Sequence, residues 1–170
     1  MKAFYRFLYT LFSIIMTGAA FVLIRALPDV TLFKGPHWFR WLMHGIQLAG
    51  FFFGVYIFRV LDPWEFLGCR QAWLFITRRR VSGDREGLAA NRLITRGPYG
   101  IVRHPLYAAG LIIFTFNPLI TRNGILVSVL ADLYFIYGAL SEERRLLKQF
   151  GAEYGEYMKK TPRFLPRLFP

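Results

Sequence analysis

Acidic residues are scarce in this chain, cysteine is almost absent, and there is no internal repeat or low-complexity tract. Its one cysteine, Cys69, excludes an internal disulfide and any CxxC metal knuckle. The three histidines, His37, His44 and His104, are too scattered to suggest a preformed zinc site, so no metal is expected. Only Thr77 to Asn91, with its Arg78-Arg79-Arg80 run, Gly83 and Gly87, is polar enough to read as a mobile loop. Apolar sequence is what the chain has in abundance. Of its 170 residues 55% are hydrophobic and 18% aromatic, which is more than a soluble globule carries. The bilayer is therefore the expected solvent. The 22 Lys and Arg against 10 Asp and Glu would ordinarily raise nucleic-acid binding. Here the arginines flank apolar runs, as they do in cytoplasmic membrane loops, so lipid is the expected partner and nucleic acid is not.

Four apolar runs organise the chain. Phe7 to Ile24 holds eighteen residues without a charge, about 27 Å of helix, and reads as an uncleaved anchor, although Gly18-Ala19-Ala20 has the composition of a signal-peptide cleavage site. Trp41 to Phe58 is the second uncharged run. Leu106 to Thr121 and Asn123 to Leu140 follow, parted by the Arg122-Asn123 turn, and read as a helical hairpin. With four spans, eighteen of the 22 basic residues fall on one side, and the positive-inside rule puts both termini and the central loop in the cytoplasm. Residues 64–75, bounded by Trp64 and Trp73, are too charged to span and read as an interfacial helix. The tail, Glu142 to Tyr157, has apolar residues near helical spacing and should continue the last span as an amphipathic cytoplasmic helix, stopped by Pro162 and Pro166. The expected fold is thus an all-α polytopic membrane bundle in one domain, residues 1–170. Its parts are N-terminal spans with the interfacial helix (1–75), then a helical hairpin with a C-terminal lid (95–170).

Chemistry concentrates in TRGPYGIVRHPLYAAG, residues 95–110. His104-Pro105 starts a helix, since proline is well tolerated in a first turn, and His104, Tyr107 and Leu111 then share a face. An Arg103-His104 pair at a helix N-terminus suits an anion; the alternative is that Arg103 only snorkels and His104 only caps. Glu142-Glu143-Arg144-Arg145 ends the last run. Adjacent carboxylates at a helix C-terminus oppose the helix dipole, so they either meet a cation or form a solvated face with Arg144 and Arg145 as counterions. The hairpin places Glu142 and His104 at similar depth. Asp132, at bilayer depth, requires a partner such as Gln47, His44 or a tyrosine hydroxyl, or else a polar cavity. Cys69 beside Arg70 reads as a passive apolar cysteine or a reactive thiol.

Three blocks together, RGPYGIVRHPLY (96–107), EERRLLKQFGAEYGEY (142–157) and PRFLP (162–166), resemble the isoprenylcysteine carboxyl methyltransferase and phospholipid methyltransferase family of integral membrane methyltransferases. EFLGCRQAWLF (65–75) further resembles the segment before the same core in the methanethiol S-methyltransferase branch. The resemblance implies S-adenosylmethionine as cofactor, held at the cytoplasmic end of the hairpin under the C-terminal segment. It implies His104 and Tyr107 at the pocket, Glu142 facing the cofactor's amino-acid end with Glu143 about 100° away, and Arg103 positioning substrate or the cofactor carboxylate. Tyr99, Leu106 and Arg163 fall in the same blocks as cofactor-side residues, with Tyr154 and Tyr157 in the lid. Arg70, Gln71 and Trp73 are the substrate-side candidates. One departure is Ala108-Ala109-Gly110, where many relatives carry a glycine nearer the tyrosine.

What the resemblance implies is an enzyme that methylates a hydrophobic or lipid-linked acceptor, a thiol, an isoprenylcysteine carboxylate or a lipid amine. Arg103, His104 and Glu142 are its expected catalytic residues, His104 or Arg103 promoting loss of a thiol proton. Two other readings stand beside it. A sterol-reductase-like oxidoreductase would use NADPH on the same hairpin, though no GxGxxG is present. A membrane scaffold or transport component would rely on Asp132.

Overall fold

The computed structural model describes residues 2–61, the single residues 64, 69, 73 and 77, and residues 93–167. The fold is mostly helical, as the apolar runs require, with helices α1 (Lys2–Ala26), α2 (His37–Ile57), α3 (Pro98–Ile101), α4 (Pro105–Thr115), α5 (Arg122–Phe150) and α6 (Ala152–Lys160). Two short strands, β1 (Thr31–Lys34) and β2 (Leu119–Thr121), complete it. The chain divides into two compact units, Met1–Ala26 with Phe58–Ile94, and Leu27–Ile57 with Thr95–Pro170.

In the first unit α1 presents an apolar surface, with Phe12, Val22 and Leu23 exposed. Trp64, Cys69 and Trp73 have helical backbone and both tryptophans are exposed. Thr77 is tied to Trp73, its hydroxyl donating to the Trp73 carbonyl at 2.8 Å. The rest of the expected interfacial helix, including Arg70 and Gln71, and the expected loop 78–91 lie outside the described residues.

In the second unit α4 packs against both α2 and α5. Small residues set the closeness of approach, as membrane helices without a solvent-driven hydrophobic force require. A methyl group added at Gly50 would meet Ile112 at 2.7 Å, and one at Gly110 would meet the Phe135 ring at 2.6 Å. Ala108 and Ala109 are buried in the same layer. Of the described helices α5 alone is long and apolar enough to cross a membrane, and Leu133, Tyr134 and Tyr137 on it face outward.

Two expected boundaries move. The hairpin's first helix stops at Thr115, eleven residues and about 16 Å, rather than running to Thr121. Pro118 disfavours helical backbone at Asn117, and the freed carbonyls are taken up by side chains. Asn117 Nδ2 donates to the Phe114 carbonyl at 2.8 Å, Ser128 Oγ to the same carbonyl at 2.6 Å, and Gln47 Nε2 to that of Ile113 at 3.0 Å. The tail is broken as well. α5 ends at Gly151, whose φ of 54° suits glycine, and α6 starts afresh there.

The strands were not expected from the sequence. They pair antiparallel, Thr31 with Thr121 and Lys34 with Leu119, and join the connection before α2 to the one before α5. The Asp29 carboxylate accepts from the Asn123 backbone N–H at 3.0 Å, and Thr121 Oγ1 caps α5 by accepting from Gly124 N–H at 2.9 Å. Asp132 finds a partner other than those expected. Thr115 Oγ1 donates to its Oδ2 at 2.9 Å, while Gln47 is occupied by the Ile113 carbonyl.

Candidate active site

The sequence Arg103-His104-Pro105 creates the site by forcing an abrupt change of direction. Gly97, at φ 62°, turns the chain into the single turn of α3, Val102 is extended, and Pro105 then occupies the first position of α4. This leaves Arg103 and His104 at the mouth of α4, beside the last turns of α5. The segment after α6 lies across them. Arg103 N–H donates to the Pro162 carbonyl at 2.8 Å and His104 N–H to that of Arg163 at 3.2 Å.

Glu143 is the hub. Its side chain is 5% exposed and its Oε1 accepts from Arg103 Nε at 3.0 Å and Nη2 at 2.8 Å. Arg163 grips both oxygens, Nε on Oε1 at 3.0 Å and Nη2 on Oε2 at 2.7 Å. The His104 ring adds Nε2 at 3.3 Å. Burial alone would raise the Glu143 carboxyl. Hydrogen bonds from Arg163 and Arg103 outweigh it and hold the group below the usual carboxylate range.

These contacts redefine Arg103. Its remaining nitrogen, Nη1, donates to the carbonyls of Met158 at 2.8 Å and Thr161 at 2.7 Å, closing the end of α6. Instead of reaching out to a substrate or cofactor carboxylate, the guanidinium fastens the C-terminal segment to the mouth of α4.

Glu142 differs from its neighbour because one helical step turns it toward α4. Its side chain is 31% exposed and its Oε2 lies 3.6 Å from His104 Nδ1. The Tyr107 hydroxyl is close enough to feel the charge of the same carboxylate. The His104 ring therefore stands between the two carboxylates, Nε2 toward Glu143 and Nδ1 toward Glu142. Aromatic faces enclose it. Tyr107 stacks on His104 with centroids 5.7 Å apart, and Phe164 lies 6.1 Å from the same ring.

Of the expected site residues, Arg103, His104, Tyr107, Glu142, Glu143 and Arg163 come together, and Leu106 is half-buried beside them in the first turn of α4. Tyr99 supports them indirectly, its carbonyl accepting from the Tyr157 hydroxyl at 2.5 Å, while burial pushes its own hydroxyl well up. Trp73 belongs to the other unit. Arg144 and Arg145 are exposed, and the Glu143 carboxylate is neutralised from Arg103 and Arg163 instead. Sequence reasoning missed Phe164 and the Met158 and Thr161 carbonyls. The signal was the PRFLP block, read as a lid without asking which face of His104 its phenylalanine covers.

No protein-family profile matches the chain, and no solved structure does. Similarity to curated proteins is more informative. The chain is 30% identical over 131 residues to methanethiol S-methyltransferase 2 of Bradyrhizobium diazoefficiens, covering 76% of this chain and 47% of that protein. It is 28% identical over 128 residues to a methanethiol S-methyltransferase of Pseudomonas deceptionensis, 75% of this chain and 44% of that one. A shorter match, 38% identical over 86 residues, covers 49% of this chain and 39% of the cobalt-zinc-cadmium resistance protein CzcN of Cupriavidus metallidurans. The chain thus spans somewhat less than half the length of these relatives.

Proposed function

We infer that this chain, a homologue of the methanethiol S-methyltransferases, is a membrane methyltransferase that uses S-adenosylmethionine to methylate a small or hydrophobic thiol. The observation that carries the reading is the Glu142 carboxylate, 31% exposed, with its Oε2 3.6 Å from Nδ1 of the enclosed His104 ring. A ligand ammonium suits that carboxylate, and the Tyr107 and Phe164 rings suit an adjacent sulfonium through cation–π attraction. When bound, S-adenosylmethionine supplies an electrophilic methyl group.

Everything else in the chemistry falls to the protein. Glu142 holds the amino end of the cofactor. His104 takes the proton of the acceptor thiol, and the Glu143 carboxylate, 3.3 Å from its Nε2, stabilises the ring as it becomes charged. The C-terminal segment, fastened by Arg103 and Arg163, covers the site and excludes water, which favours a reaction that removes charge. The site lies at the cytoplasmic end of the α4–α5 pair, in a polytopic bundle with both termini in the cytoplasm, and the acceptor arrives from the lipid phase.

The experiment is titration calorimetry of the detergent-purified chain with S-adenosylmethionine and S-adenosylhomocysteine, beside Glu142→Gln. Micromolar binding that weakens at least about tenfold in the variant, the worth of one charged hydrogen bond, is expected. A folded chain that binds neither compound would overturn the reading, and nicotinamide cofactors would be titrated next. Turnover with alkanethiols and none with alkylamines is the expected acceptor profile.

A further inference from the structure

α4 and α5 meet along one antiparallel seam. From the charged end inward, His104 faces Glu142, Tyr107 faces Gly138 and Gly110 faces Phe135. The two glycines on the seam differ. A methyl group at Gly110 would press into the Phe135 ring at 2.6 Å, so packing requires glycine there. At Gly138 a methyl group would have the Tyr107 Cζ and hydroxyl oxygen nearest, both at 3.4 Å, which is ordinary contact. Alanine would fit at 138, and inside a helix it is favoured over glycine. Packing therefore leaves Gly138 unexplained.

What the glycine provides is a strip of bare helix backbone beside the Tyr107 hydroxyl. The strip is half-buried and lies one turn from the partly exposed Glu142 carboxylate. One turn the other way is Tyr134, which is exposed together with Leu133 and Tyr137. Tyr134, Gly138 and Glu142 follow at four-residue steps and so lie in a row on α5, about 12 Å from end to end. The bare backbone thus joins the charged site to the outer apolar surface of the helix that is long and apolar enough to cross a membrane.

We propose that the methyl acceptor is a long-chain alkyl thiol whose hydrocarbon tail lies over Gly138, between Tyr107 and Tyr134, with its sulfur at His104. Gly138 is then a specificity-determining residue, and the outer surface of α5 is the side from which the acceptor enters. The proposal rests on the methyltransferase reading above and narrows its acceptor class. The thiol gives its proton to His104, and its sulfur takes the methyl group as the sulfonium S–C bond breaks, leaving that electron pair on the demethylated product.

The test uses the full chain in detergent, wild type and Gly138→Ala. Methyl transfer is measured at saturating S-adenosylmethionine with ethanethiol and with octanethiol, alongside S-adenosylhomocysteine affinity and thermal unfolding. Both proteins are assayed in the same micelles, so partition of the thiols cancels when variant is compared with wild type. Gly138→Ala is expected to unfold at the wild-type temperature or above and to bind S-adenosylhomocysteine as the wild type does. Its octanethiol-to-ethanethiol ratio of kcat/KM is expected to fall at least about tenfold, the worth of one misplaced methyl group in an apolar pocket. An unchanged ratio, a weakened affinity for S-adenosylhomocysteine, an earlier unfolding of Gly138→Ala, or a wild type that methylates ethanethiol and not octanethiol would each overturn the assignment. A folded wild type that binds neither S-adenosylmethionine nor S-adenosylhomocysteine overturns the methyltransferase reading itself, a separate outcome.

Discussion

The two ends of the α4–α5 pair are closed by opposite means. At the Arg122 end a two-stranded ribbon, the Thr121 cap and the Asn123 side chain on the Leu27 carbonyl at 3.1 Å hold the connections together, mostly through backbone groups and neutral side chains. At the Glu142 end five charged or titratable side chains are gathered, three of them nearly enclosed. Buried charge is a poor way to stabilise a fold, because desolvation offsets much of the attraction. Simple closure is achieved at the ribbon end without it. The charged end has a further use, which is to leave one carboxylate partly free beside another that is fully neutralised.

The sharpest way to break this comparison is Glu143→Gln, which leaves Arg103 enclosed without its counterion. A loss of about 3 kcal/mol is expected by chemical denaturation, at the lower end of the range for a broken buried pair because Arg163 stays partly solvated. Glu142→Gln should cost almost nothing in the same measurement. Next is Gly110→Ala, whose methyl must displace the Phe135 ring; about 1 to 3 kcal/mol is expected, with the charged site intact. At the ribbon end Thr121→Ala removes a cap and should cost about 1 kcal/mol, with no change in ligand affinity.

Acid separates the ends more finely. Because the folded-state pKa of Glu143 is depressed below its ordinary value near 4.5, its contribution is complete above that pH and is lost as pH falls further. The wild-type unfolding temperature should therefore decline more steeply below pH 4.5 than that of Glu143→Gln. Parallel curves would show that Glu143 is no more stabilised in the fold than in the unfolded chain.

Much of the charged end was legible in the sequence. His104-Pro105 announces a helix start, and antiparallel neighbours bring Glu142 to the depth of His104, as found at 3.6 Å. Which of two adjacent carboxylates would be buried was not legible, since it depends on the rotation of α5 against α4. That rotation is fixed by Gly110 against Phe135 and by Tyr107 against Gly138, contacts between residues distant in sequence. The partners of Arg103 were hidden for a related reason. Its partners at Met158 and Thr161 are backbone carbonyls, which carry no residue signature. The ribbon was invisible because three or four residues at the ends of apolar runs have no period to detect.

The ribbon also bears on the order of events in folding. Asp29 and Asn123 are 94 residues apart, whereas Arg103 and Glu143 are separated by only 40. On loop-closure entropy the longer connection is harder to form by about 0.8 kcal/mol. The charged end is then expected to form before the ribbon. Substitutions in the ribbon should accordingly speed unfolding and leave the folding rate nearly unchanged, making it a latch on the lifetime of the folded state.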